Sequence, residues 1–239
     1  MQQASPSKLA IAILAAGESS RLGQPKALCE LPGGLPIFRL LRELRASRIS
    51  TRTASSIDAD ALGQEDAHKI RPVLVTGAHH DAIILALQSA GEDARPFSKG
   101  GLTLNHQEWS QGRTSSIQRA AHACPGMDLL VVPVDHPRIC QDTFDRMATS
   151  WEAHSRPSRG WLAPFIRSPA NERQFGHPVL IGRELIAELL DWSPDAPLHE
   201  LRELALPLLA VEVSDPSILE NLDTPKDLAA IRKADLADL

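Results

Sequence analysis

Leu14-Ala15-Ala16-Gly17-Glu18-Ser19-Ser20-Arg21-Leu22-Gly23-Gln24-Pro25-Lys26-Ala27-Leu28 is the stretch on which the reading of this chain turns. It follows an apolar run at 9–14 that has the length of a strand and lies where a strand would end in a loop. Ala15, Ala16 and Gly17 carry little or no side chain, so a ligand can come close to the backbone. Ser19, Ser20 and the amides around Gly23 can donate to phosphate oxygens, Arg21 offers a forked donor, and Lys26 adds a mobile point charge. A triphosphate carries about four negative charges, which suits a loop with two cations and many free amides. Five residues separate Gly17 from Gly23 and no Gly-Lys-Ser/Thr follows, so this is not a Walker A loop. The G-x-G-x-x-G of a dinucleotide fold is absent as well. An isolated Gly-x5-Gly would be an ordinary surface turn, so the rest of the chain has to decide.

Outward from this loop, short apolar runs alternate with longer segments of helical period. Strands are expected at 9–14, 72–76, 129–134, 162–165 and 209–213, and helices at 36–46, 81–90, 115–122, 141–154, 183–190 and 225–233. That alternation predicts an α/β fold: a single Rossmann-like, mainly parallel sheet with helices on both faces, spanning 1–239 as one domain. Leu129-Leu130-Val131-Val132 is apolar without alternation, as a strand covered on both faces should be. Residues 47–69 are rich in Ser, Thr, Asp and Ala and lack regular large apolar positions, which reads as a surface insertion. In such sheets ligands sit at the carboxyl ends of strands, so Gly77, just past the second strand, joins the candidate nucleotide-binding positions.

Composition narrows the function classes. Among 239 residues, 43% are hydrophobic and 23% charged, enough for a packed core and against intrinsic disorder. Lys plus Arg is 25 against 30 for Asp plus Glu, a net charge of -5, which excludes a surface built for nucleic-acid phosphates. Aromatics are 4% with no tyrosine, so a base-stacking platform is excluded too. Cys29, Cys124 and Cys140 are too few and too scattered for a disulfide framework or zinc knuckle, and read as free thiols in a reducing compartment. Lys8 and the apolar run after it make a poor secretory signal, having one basic residue and ending in the Gly-containing loop. No apolar run approaches the ~20 residues of a membrane span, so a soluble, cytoplasmic protein is expected.

Four further segments carry chemistry. Val132-Pro133-Val134-Asp135-His136-Pro137 closes the most apolar strand with a carboxylate that can hold Mg²⁺ or cap the next helix. Asn105 through Ile117 contains Trp109, a turn at Gly112, and Ser115 and Ser116 opening a helix whose amides can meet an anion or base edge. Taken singly these residues fit an ordinary helix start with Trp109 packed beneath it. His177, held between Gly176 and Pro178, has a constrained backbone, and lone histidines of this kind are more often packed than catalytic. Asn221-Leu222-Asp223-Thr224-Pro225-Lys226-Asp227-Leu228 is a helix start, with Thr224 as N-cap, Pro225 at N1 and Asp227 completing a capping box. Asp223 lies outside that helix and is read as a second carboxylate reaching the metal. His79-His80-Asp81 and Asp66-x-His68 lack a third ligand at useful spacing and read as solvated faces, while Trp151, Trp161 and Trp192 read as packing.

The loop as a whole resembles the L-A-A-G-x-S-x-R-x-G-x-x-K signature of the MobA-like nucleotidyltransferase superfamily. Within it, Asn105 to Ser116 is similar to the N-x-x-W-x-x-G-x-x-S-S segment of the molybdenum cofactor cytidylyltransferases, and Gly176-His177-Pro178-Val179-Leu180 is similar to their G-H-P-V-L. The 221–228 segment resembles D-I-D-T-P-E-D-L, with Asn221 and Lys226 departing from it. The resemblance implies the sheet of nucleotide-diphospho-sugar transferases and transfer of a nucleoside monophosphate from a triphosphate to a phosphate acceptor, releasing pyrophosphate. It implies Arg21, Lys26 and Asp135 as catalytic residues and Mg²⁺ on Asp135 and Asp223. Nucleotide would meet Leu14, Ala15, Ala16, Gly17, Ser19, Ser20, Arg21, Gly23, Lys26 and Gly77. Acceptor would meet Gly112, Ser115, Ser116 and His177. The Ala15-Ala16-Gly17 form is similar to the cytidylyl enzymes, which favours CTP as donor, a molybdopterin-type acceptor and a molybdenum hydroxylase as downstream partner. A sugar phosphate, an alditol phosphate or a deazaflavin precursor as acceptor stays open, as does a non-catalytic carrier of molybdenum cofactor.

Overall fold

The computed structural model describes residues 9–49, 72–91 and 101–237. An eight-stranded sheet forms the middle layer. Four strands run parallel from one edge inward in the order β3 (Leu102–Asn105), β2 (Val73–Thr76), β1 (Leu9–Ala15) and β4 (Asp128–Pro133). Beyond β4 the sheet turns mixed. Short β7 (Val179–Ile181) pairs antiparallel with both β4 and β5 (Trp161–Arg167). β6 (Arg173–Phe175) pairs antiparallel with the far end of β5, and β8 (Leu208–Glu212) lies parallel along its other edge.

Period-two burial divides the helices between two faces. Ile11, Ile13 and Ala15 of β1, with Leu130 and Val132 of β4, face one apolar cluster. Its other side is supplied by α1 (Pro36–Ala46), α2 (His80–Ser89) and α4 (Gln141–Ala153). Ala10, Ala12 and Leu14, with Leu129 and Val131, face the opposite cluster, covered by α3 (Arg113–Ala123), α5 (Arg183–Leu189) and the single turn-and-a-half α6 (Leu198–Glu203). Helix α1 shows how directly pattern sets placement. Pro36 occupies its first turn, where no amide partner is needed, and Ile37, Leu40, Leu41 and Leu44 recur at helical spacing on the buried side. Each such side chain contributes about 1.5–3 kcal/mol on burial.

The expected α/β architecture with a mostly parallel core and helices on both faces is what the chain adopts. Strands β3, β6 and β7 and helix α6 were not among the expected elements. Each has three to six residues, too few to show a period. The expected insertion at 47–69 falls mostly on residues 50–71, outside the described ones, as do Asp66 and His68. At its near end Ser47 and Ile49 are buried, Ile49 within the cluster under α1, so those two positions belong to the core and not to a surface segment. Trp151 and Trp161 are buried, the Trp151 indole donating to the fully buried Asp128 at 3.0 Å. The three cysteines are free thiols. Among the described residues no helix is long and apolar enough to cross a membrane.

A third, smaller cluster joins Leu22, Cys29 and Leu31 of the first loop to Leu222, Leu228 and Ile231 at the start of the last helix, α7 (Pro225–Ala237). This contact brings residues about two hundred positions apart to the same end of the sheet.

Candidate functional site

Chain order runs away from β1 in opposite directions, through β2 on one side and β4 on the other, so the loops leaving these strands diverge and open a crevice. The crevice is a cavity of 340 Å³, lined by residues 14–17, 19–21 and 25–27 of the first loop, by His79, Trp109, Gly112, Arg113 and Ser116, and by Asp135 and Asp223. Its size is that of a small-molecule site.

The loop is strapped at its root on both sides. Ala16 accepts from the Ala78 amide and Leu14 from the Val134 amide, each at 3.0 Å. Ser19 then adopts a left-handed backbone, φ 59°, which lets its carbonyl accept from both Leu22 and Gly23 while its hydroxyl accepts from the Lys26 amide at 3.2 Å. Leu22 plugs the loop into the third apolar cluster, and the His79 ring meets the Glu18 carbonyl at 2.7 Å. A methyl placed on Gly17 would stand in open space, so its backbone borders the cavity unobstructed.

Across from this loop, the Asp135 carbonyl accepts from the Leu222 amide at 2.8 Å, which fixes the chain carrying Asp135 beside the chain carrying Asp223. The capping box expected at the head of α7 forms: the Asp227 carboxylate accepts from the Thr224 amide and hydroxyl, both at 2.8 Å. Asp223 is thereby left free of helix duty. It pairs with Arg21 at 3.0 Å and with the Lys26 ammonium, which also reaches Asp135 at 3.2 Å. The hydrogen bond from Lys26 holds the Asp223 carboxyl below the usual carboxylate range against the opposing effect of burial, and the Lys26 and Arg21 charges add to it. One ammonium between two carboxylates marks a place that favours a cation.

The second Asp135 oxygen, Oδ1, is buried without a hydrogen-bond partner, an acceptor left open at the centre of the site. Two facing carboxylates and an unclaimed buried oxygen fit a hard divalent ion that takes its other ligands from water and phosphate. Among the described residues no group of three or more His, Cys, Asp or Glu side chains is placed to form a closed metal cage.

Behind Asp135 the rings of His136 and His177 lie 4.7 Å apart, tilted by 55°. Each has a buried Nδ1 with no partner. Burial lowers the pKa of both, and with the charges of His136 and Arg113 added, His177 falls to about 4, so it is neutral at physiological pH.

The cavity therefore brings together the expected Leu14, Ala15, Ala16, Gly17, Ser19, Ser20, Arg21 and Lys26 with Asp135, Asp223, Gly112 and Ser116. Gly23, Gly77, Ser115 and His177 are not on its lining. Gly77 packs against the Ala16 carbonyl, where a Cβ would come to 2.5 Å, and Trp109 closes its other side. Ser115 is turned inward, its hydroxyl donating to the Gly112 carbonyl at 2.7 Å and meeting His106 Nε2 at 2.8 Å. Gly176 lies against the Ile218 carbonyl, 2.2 Å from where a Cβ would sit, so its smallness serves packing. Asn221 is exposed, and Lys226 likewise. The histidines read as a solvated face behave otherwise: His79 lines the cavity and holds the loop, and His80 Nδ1 meets Thr76 Oγ1 at 2.7 Å. His79, Trp109 and Arg113 were not singled out as site residues. For His79 the usable signal is its place directly after a central strand.

The MobA-like NTP transferase domain family matches residues 11–208, most of the chain. No curated protein sequence matches it. Among solved structures, Rv0371c from Mycobacterium tuberculosis H37Rv superposes with a TM-score of 0.68 at 18% identity, covering 96% of this chain and 99% of that one. Rv0371c in complex with manganese gives 0.63 at 16% identity over 95% and 100%. CMP:2-keto-3-deoxy-manno-octonic acid synthetase complexed with CTP gives 0.64 at 15% identity over 98% and 100%. Molybdopterin-guanine dinucleotide biosynthesis protein A from Archaeoglobus fulgidus gives 0.59 at 14% over 96% and 99%. At these identities the likenesses speak for the fold.

Proposed function

We propose, from the premise that this chain belongs to the MobA-like NTP transferase domain family, that it moves a nucleoside monophosphate from CTP to the phosphate of a molybdopterin-type acceptor and releases pyrophosphate. The observation that carries the reading is Lys26 held between Asp135 and Asp223 at the mouth of a loop whose backbone borders a cavity. An acceptor phosphate oxygen forms the new bond to the α-phosphorus as the bond to the leaving pyrophosphate breaks. The nucleophile is already an anion, so the protein needs no strong base, and alignment and charge neutralisation are what it contributes.

Arg21 and Lys26 exchange their carboxylate partners for the triphosphate, and amides at 17–21 hold its oxygens, those of Leu22 and Gly23 being taken by the Ser19 carbonyl. Asp135 and Asp223 would hold a divalent ion, Mg²⁺ in this reading, which would neutralise phosphate charge. Support for a metal comes from the unpartnered Asp135 oxygen and from the manganese bound by a protein of the same fold. Support for CTP comes from the Ala15-Ala16-Gly17 form and from a CTP complex among the structural neighbours. The acceptor assignment rests on the similarity of residues 105–116 and 176–180 to cytidylyltransferase segments, with Gly112 and Ser116 on the cavity and the His177 ring tilted against that of His136.

The test is pyrophosphate release from purified protein with Mg²⁺ and each of the four nucleoside triphosphates, with and without molybdopterin. Release confined to CTP plus molybdopterin supports the proposal. Release with another triphosphate overturns the donor, and nucleotide binding without release overturns the acceptor. Tight molybdopterin binding with no nucleotide requirement would leave the carrier.

A further inference from the structure

Arg113 is the residue of the cavity whose charge is unaccounted for. Arg21 and Lys26 both rest on carboxylates, whereas Arg113 has no hydrogen-bond or ion-pair partner among the described residues. Its backbone, by contrast, is tightly held. The Thr114 hydroxyl donates to the Ala196 carbonyl at 2.6 Å, the Ser115 amide to Pro194 at 3.1 Å, and the Ser115 hydroxyl to Gly112. A methyl on Gly112, whose φ is 132°, would press on the Pro194 carbonyl at 3.2 Å. Arg113 is exposed, so its guanidinium stands in solvent at the cavity wall on a fixed stretch of backbone, where an anion can reach it.

Position separates this cation from the other two. Lys26 and Ala27 sit on the face of the sheet covered by α1, Ala27 within that cluster. Arg113 opens α3, which packs by Ile117, Ala120 and Ala121 into the opposite cluster. A triphosphate wrapped by the loop at 17–26 leaves Arg113 facing whatever approaches Asp135 from the other wall.

We infer that Arg113 binds the phosphate of the acceptor, and so selects for acceptors whose nucleophile is a phosphate monoester. The inference rests on the nucleotidyl-transfer reading above. With Arg21 and Lys26 held by carboxylates, Arg113 is the lining cation left to meet that phosphate.

The experiment measures two quantities on the full chain with Mg²⁺, for the wild type, Arg113→Gln and Arg113→Lys. One is the CTP dissociation constant, read by tryptophan fluorescence, since Trp109 lines the cavity. The other is the molybdopterin concentration giving half-maximal pyrophosphate release at saturating CTP. Arg113→Gln is expected to raise the second by at least ~10-fold while shifting the first far less, with Arg113→Lys between the two, as loss of a charge-assisted bond requires. A CTP constant that shifts as much as the acceptor value, or two values that both stay put, overturns the inference. Should wild type not use molybdopterin, the acceptor reading fails but Arg113 is still tested, by titrating inorganic phosphate into the CTP-saturated protein. Phosphate binding weakened at least ~10-fold in Arg113→Gln supports the role, and equal binding in both proteins overturns it.

Discussion

The two walls of the cavity are unlike in how they treat charge. On the loop wall every cation has its counter-ion within the chain: Arg21 on Asp223, and Lys26 on Asp223 and Asp135. On the other wall Arg113 is unpaired among the described residues, Asp135 Oδ1 is buried without a partner, and behind Asp135 so are His136 Nδ1 and His177 Nδ1. The first wall is self-compensating, so it can hold its shape without ligand and release its cations when a more highly charged anion arrives. The second presents an exposed guanidinium and an open carboxylate oxygen that a bound ligand can meet. A site that hands one substrate to another would need both kinds of wall.

Four perturbations probe this contrast, the largest first. Chelating divalent ions with EDTA should stop pyrophosphate release down to background, because the two carboxylates then revert to Lys26. Persistent turnover without metal would break the assignment of Asp135 and Asp223. Lys26→Ala and Asp135→Ala should each lower turnover by at least ~100-fold without unfolding the protein, followed by kinetics together with circular dichroism. Unchanged turnover in either removes that residue from the mechanism. On the second wall, Gly176→Ala drives a Cβ into the Ile218 carbonyl and should cost at least ~2 kcal/mol in urea unfolding, displacing His177.

The smallest effect is electrostatic. His177 has a folded-state pKa lowered to about 4, so it resists the proton that the unfolded chain accepts near its ordinary ~6.5. Stability should therefore fall as pH drops from about 6.5 towards 4, by at most about 3 kcal/mol from this ring, and His177→Asn should flatten that slope. Asp223 acts with the same sign in a lower pH window. Its lowered pKa adds stability that is complete above the usual carboxylate range and is lost only as pH falls through the folded value. A slope unaltered by His177→Asn would show that the second wall carries no such penalty.

Legibility in the sequence followed the same division. Elements whose signals are local came out with nearly correct bounds: α1, with Pro36 at its first turn and apolar residues at 37, 40, 41 and 44, and the Thr224–Asp227 capping box. The loop was readable because its chemistry lies in one continuous string after a strand. What escaped depends on pairing across the fold. Strand β7 is three residues long and exists because β4 and β5 flank it. Ser115 and Ser116 look alike in sequence, yet His106 and Gly112 claim the first hydroxyl and the second residue lines the cavity. His79 gave no metal pattern, and its role in pinning Glu18 needed the loop and α2 to be side by side. Arg113 is noticed only when every other cation of the cavity has been matched to a carboxylate.

The central claim is that Lys26, Asp135 and Asp223 form one exchangeable site for a metal and a nucleoside triphosphate. Its most direct test is titration of Mn²⁺, followed by electron paramagnetic resonance, into wild type and Asp135→Asn with and without CTP. The account predicts weak Mn²⁺ binding to wild type alone, because Lys26 occupies both carboxylates, and binding strengthened by at least ~10-fold when CTP draws Lys26 away, with that gain lost in Asp135→Asn. Mn²⁺ binding indifferent to CTP, or equal in the two proteins, would contradict it.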